Sequence, residues 1–233
     1  MKHLALVIAV LAFFVLGCGL FNRLANSSTN VATNDGSTTS SKPTSGDAAL
    51  PSGNAREDLI TASKKFIELP KFRANMDSNG TNQFRMRLDY VAPDRFHIFF
   101  LDNSGQAKSE SVMIGGDMYM KFGGRWQKLA GAVKNNKVPN LRDFFNEEGL
   151  KNLKEVDYVG DETVAGENAH VYSYHSDRTM TNQMAPNPYT SKIWVGANDG
   201  LPKKIEVTYE GGEMKSATIT YDYSSDISVE PPA

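Results

Sequence analysis

Cys18 is the only thiol in a chain of 233 residues, and its setting carries the clearest chemical signal. Lys2 precedes an unbroken apolar run from Leu4 to Leu16, and Val15-Leu16-Gly17 lead directly into Cys18. A basic start, an apolar stretch and small residues before a cut are the marks of a secretory signal. A cysteine just past the cut is the pattern that receives acyl chains on its sulfur. Residues 1–17 are therefore expected to be a signal peptide, with Cys18 as the lipid-attachment site. Val15 stands where that pattern prefers leucine. Leu4–Phe21 is also nearly long enough to span a membrane, so an uncleaved anchor is the alternative. One acyl chain holds a protein to a membrane only marginally, whereas two or more hold it stably. Either reading tethers the chain to a membrane and leaves the rest in the cell envelope, facing the periplasm or the exterior.

The remaining residues offer little reaction chemistry. There is no G-x-S-x-G elbow, no H-E-x-x-H pair and no phosphate-binding glycine loop. Gly115-Gly116, Gly123-Gly124 and Gly211-Gly212 fall where strands should turn, and glycine supplies backbone freedom there. His97, His170 and His175 lack neighbours at metal-ligand spacing. An odd separation places His170 and His175 on opposite faces of a strand. His97 lies among aromatics, which suits a solvent-facing or hydrogen-bonded ring. The acids are scattered without a catalytic pair. The chain is expected to be neither an enzyme nor a carrier of a metal or cofactor.

Composition narrows the classes further. Hydrophobic residues make up 40%, charged residues 22%, and the net charge is −2. Nothing in that balance attracts nucleic acid. With no cysteine after Cys18, structural disulfides and thiol catalysis are excluded. Asn26-Ser27-Ser28 and Asn79-Gly80-Thr81 match a glycosylation pattern; the acylation signal at Cys18 implies a bacterium, where chance is the better account of both. Residues 18–54 are rich in Ser, Thr, Asn, Gly and Ala and poor in bulky apolar side chains. Such a segment cannot bury enough surface to offset its ordering entropy. It reads as a flexible tether, with a typical span of roughly 30 Å and a stretched reach on the order of 100 Å.

The elements follow from hydrophobic period. Asn54 and Glu57 fit a capping box, and Leu59, Ile60, Phe66 and Ile67 recur at helical spacing. Pro70 ends this helix, placed at roughly 56–69. From Phe72 the period becomes two, through 84–90, 96–100, 111–114, 118–122 and a short return from Trp126. Turns at Pro93-Asp94 and Asp102–Gly105 separate them, as in an antiparallel meander. A second helix is expected over 139–153, with Leu141, Phe144 and Phe145 on one face. Strands resume near 156–159, 169–174, 192–195, 204–209 and 216–223. A long polar loop, 176–190, joins two of them. The predicted fold is mainly β with two helices. Two helices cannot cover so many strands laid flat. The sheet should curl into an incomplete antiparallel barrel whose concave face the helices cover. The domain is placed at 55–227, with a frayed tail at 228–233.

Three segments carry a resemblance. Phe72-Arg73-Ala74-Asn75, Leu88-Asp89-Tyr90-Val91-Ala92-Pro93-Asp94-Arg95-Phe96 and Met113-Ile114-Gly115-Gly116-Asp117-Met118-Tyr119 fall in the order and spacing of the bacterial lipoprotein-sorting, LolA/LolB-like superfamily. Lys192-Ile193-Trp194-Val195 with Asp199-Gly200-Leu201-Pro202-Lys203 resembles its late hairpin. The superfamily includes lipid-binding lipoproteins of the LppX/LprG type. The resemblance implies an unclosed barrel with an apolar cavity for acyl chains. Its soluble chaperone has arginine before the strand-turn proline, where this chain has Ala92. That departure, with Cys18, favours an anchored acceptor or lipid binder over a shuttle. Gly19 in place of aspartate permits outer-membrane localisation.

Phe84, Met86, Leu88, Tyr90, Phe96, Ile98, Phe100, Met118, Met120 and Phe122, with Phe144 and Phe145, are the candidate cavity lining. Flexible thioethers and aromatics suit irregular acyl chains, though the same residues also make a dry core. The expected partners are the membrane through Cys18 and a lipid or acylated lipoprotein as cargo. A membrane protein is a further partner if the fold serves as an interaction or sensor module instead.

Overall fold

The computed structural model describes residues 50–81, 83–130, 153–176 and 188–232. One helix, α1 (Ala55–Ile67), precedes eleven strands. The Asn54 side chain accepts the Glu57 N–H at 3.3 Å, so half of the expected capping box is present. The Asn54 N–H itself donates to Ser52 Oγ at 3.2 Å. Glu57 and Asp58 in the first turn and Lys64 and Lys65 in the last complement the helix dipole. Glu68 caps the C-terminus, two residues before Pro70.

The strands are β1 (Lys71–Gly80), β2 (Arg85–Val91), β3 (Arg95–Leu101), β4 (Ala107–Ile114), β5 (Asp117–Phe122) and β6 (Arg125–Leu129). Then come β7 (Lys154–Val164), β8 (Glu167–Ser176), β9 (Tyr189–Gly196), β10 (Pro202–Tyr209) and β11 (Met214–Asp222). They form one sheet in the order β6-β5-β4-β3-β2-β1-β11-β10-β9-β8-β7. Two meanders therefore spread from a central seam, where β1 pairs antiparallel with β11. At the seam's bulge, a Cβ on Gly80 would lie 2.1 Å from the Glu213 carbonyl, so the register requires glycine there. The sheet is open at β6 and β7, as expected of a half-barrel.

Alternation sorts each strand into two faces. Leu88, Ile98, Ser111 and Met120 stand level on the inner face, and so do Tyr90, Phe96, Met113 and Met118. All of these but Ser111 join Leu59, Ile60 and Phe66 of α1 and Tyr172, Ile193 and Ile205 of the second meander in one core cluster. The Phe66 ring lies 4.8 Å from Phe72 and 5.3 Å from Tyr221, centroid to centroid, fixing α1 on the inner face beside the seam. The outer face bears ion pairs, including the fork of Arg73 on Asp89 at 2.6 and 2.9 Å.

Two expectations change. The helix expected over 139–153, with Phe144 and Phe145, lies almost wholly outside the described residues, which hold one helix. Of that predicted helix only Leu153 is described; it is buried, and its carbonyl accepts from Arg56 Nη2 at 2.5 Å. Within the tail expected to fray, Val229 is docked. Val229 is only 2% exposed and packs with Ile227 against Val112 on the outer face. Arg95 Nη1 holds it by donating to the Val229 carbonyl at 2.8 Å and to Glu230 at 3.1 Å. Finally, β4 and β7 are longer than their short apolar cores suggest.

Candidate functional site

The inner face brings together ten of the residues that the sequence marks as cavity lining. Met86, Leu88, Tyr90, Phe96, Ile98, Met118 and Met120 are buried in the one core cluster, and Phe84, Phe100 and Phe122 are half-buried against it. Phe144, Phe145 and Cys18 lie outside the described residues.

Burial is uneven along this face. Met76 pairs with Met86 and with Ile219, Met86 with Phe100, and Ile219 with Ile205. One apolar row thus crosses β3, β2, β1, β11 and β10, a distance of about 19 Å at the usual strand spacing. Within it Met76, Phe100 and Ile219 are only half-buried, as are Phe84, Val207 and Tyr209 alongside. This strip runs two or more residues further along β1 than Phe72, where the last turn of α1 sits.

The second meander supplies a wall that the sequence reading did not group with the first. Tyr172, Tyr174 and Tyr189 are buried, and Tyr209 and Tyr221 half-buried, in the same cluster. Ring centroids of Tyr174 and Tyr189 lie 6.4 Å apart, and those of Tyr189 and Tyr209 lie 6.1 Å apart. Burial raises the phenol pKa of Tyr174 and Tyr221 and pushes that of Tyr209 up to about 12. These phenols remain neutral hydrogen-bond donors at any physiological pH. Alternation of tyrosines along Tyr172–Tyr174 and across to Tyr189 was the available signal. Without the β8–β9 pairing, their common face could not be read.

At the start of α1, Asp58 is 1% exposed and takes two donors. The Tyr172 hydroxyl donates to Oδ2 at 2.9 Å, and the Ser52 N–H reaches both oxygens at 3.0 and 3.2 Å. Beside it lies a cleft of about 560 Å³ lined by Pro51, Gly53, Asn54, Ala55, Asp58, Val156, Asp157 and Tyr158. None of the residues proposed from the sequence lines it.

The histidines serve the frame. His170 Nδ1 lies 2.6 Å from Asp161 Oδ1, tying β8 to β7. His97 faces outward, stacked on Phe99 at 3.8 Å. Its Nε2 is 3.4 Å from Glu110 Oε2, within ion-pair range but without hydrogen-bond geometry. Burial lowers its pKa, against the opposing pull of Glu110. Among the described residues, no cluster of three or more His, Cys, Asp or Glu has the geometry to hold a metal.

No family model and no curated protein matches the chain in sequence. In structure, lipoprotein LppX of Mycobacterium tuberculosis aligns at TM-score 0.57 and 12% identity, over 76% of this chain and 98% of that one. The fold is of the LppX type. LprF of Mycobacterium bovis aligns equally well, at TM-score 0.57 and 14% identity, over 78% and 99% of the two chains. Identities this low establish a shared architecture and no shared residue roles.

Proposed function

We propose that this chain is a lipid-anchored envelope protein that holds a lipid, or the acyl chains of a lipoprotein, against its inner face. It would carry or receive hydrophobic cargo there. The supporting observation is the half-buried strip around Met76, Phe84, Phe100 and Ile219, which is an apolar surface left incompletely covered inside an otherwise buried wall. Its length of about 19 Å is on the scale of a long acyl chain. Covering it would contribute about 25 cal/mol per Å² removed from water, or about 0.8 kcal/mol per methylene. Lipidation at Cys18 and the 18–54 tether would keep the domain beside its membrane while letting it move.

Native mass spectrometry of the protein purified without added lipid tests this reading. Lipid adducts, and uptake of acyl lipid on incubation, are expected. Met86→Arg should abolish uptake while circular dichroism stays native, and outer-face Lys128→Gln should not affect it. A bare protein mass with no uptake would leave the interaction-module reading in its place.

A further inference from the structure

Ser109 and Ser111 interrupt the apolar wall at successive inner-face positions of β4. Ser111 pairs with Ile98 on one side and Met120 on the other, and Ser109 pairs with Phe100. Phe122 follows Met120 on the same face. The 2.8 Å ion pair of Lys121 with Glu110 on the outer face shows that β4 and β5 still run side by side there. Ser111 is 3% exposed, and its Oγ has no hydrogen-bond partner among the described residues. Ser109 is half-buried, next to Phe100 at the open strip. A buried hydroxyl left unpaired is unfavourable, and such a group in a native structure calls for an explanation, a bound partner being one.

We propose that Ser109 and Ser111 form a polar notch that receives the ester or amide carbonyl at the head of an acyl chain, with the chain itself lying along the strip past Phe100. This rests on the lipid-binding reading and adds that the cargo enters carbonyl end included, not as bare hydrocarbon. The Ser111 hydroxyl would donate to the carbonyl oxygen. Ser109 would meet the carbonyl at the mouth, and Ile98, Phe100, Met120 and Phe122 would exclude water.

The test compares two probes on the full-length protein: a long-chain fluorescent acyl methyl ester and the alkyl ether of equal length. The wild type should bind the ester roughly fivefold more tightly, as one added hydrogen bond implies. Ser111→Ala should remove that preference while leaving ether affinity and the thermal midpoint unchanged, and Ser111→Thr should restore it. Phe122→Ala should weaken both probes alike. Equal affinity of wild type for the two probes, or a preference that survives Ser111→Ala, overturns the notch while leaving lipid binding intact. Failure of both probes to bind overturns the lipid-binding reading and the notch together.

Discussion

Asp58 joins the helix to the sheet through bonds that no apolar contact replaces. Its nearly buried oxygens accept from Tyr172 and from the Ser52 backbone at the edge of the cleft. Asp58→Ala strands a buried phenol and should lower unfolding stability by about 2–3 kcal/mol. Asp58→Asn, which keeps an acceptor, should lose less, as urea midpoints would show. His97 makes a prediction in pH. Its folded pKa lies below the ordinary value near ~6.5, chiefly through burial, so the folded state binds fewer protons than the unfolded one. Stability is then full above about pH 6.5 and declines as pH falls toward the folded value. Glu110, Asp89 and Arg87 face the ring, and the two acids moderate the decline. Between about pH 7.5 and about pH 5.5 the urea midpoint of the wild type should drop more than that of His97→Gln. An equal drop refutes the assignment. The sequence showed His97 among aromatics, but its outward direction and the Glu110 beside it follow only from the β3–β4 register.

Element by element, legibility tracked the regularity of side-chain alternation. β2 and β3 were plain, because Met86, Leu88 and Tyr90 alternate with charges and pair level with Phe96, Ile98 and Phe100. The first half of β4 was hidden, since Ala107-Lys108-Ser109-Glu110 has no apolar side and owes its place to the neighbouring strand. β7 was legible only near 156–159; two register shifts break its period of two and leave Tyr158 and Val159 exposed. The tyrosine wall needed pairings between residues far apart in sequence, which no local pattern encodes. The tail gives the sharpest test at this scale. Ile227 and Val229 are isolated apolar residues in a polar stretch, yet they cover Val112. Ending the chain at Asp226 should lower stability by about 3 kcal/mol, the loss of two buried side chains. An unchanged thermal midpoint would mean that the segment is loose after all.

For the molecule as a whole, the seam matters most. β1 and β11 pair residues near 75 with residues near 220, and the main cluster of buried side chains draws on both meanders. The chain should therefore unfold as a unit and fold slowly, since long-range pairing must precede its reward. Its two tryptophans lie on opposite sides of the seam, Trp126 in β6 and Trp194 in β9. Trp126→Phe and Trp194→Phe variants let fluorescence follow each half alone, and the two urea transitions should coincide. Separated midpoints would show that the halves fold independently. Leaving the sheet unclosed has its own consequence: two rows of backbone amides and carbonyls stay available to a stranger's strand. β6 offers only five residues, among them Arg125 and Lys128. β7 is twice interrupted in register and carries Glu155, Asp157, Asp161 and Glu162. Short length at β6, broken register at β7, and like charge wherever an edge meets the same edge of another copy discourage neighbouring copies from zipping together, so the open sheet need not be self-adhesive.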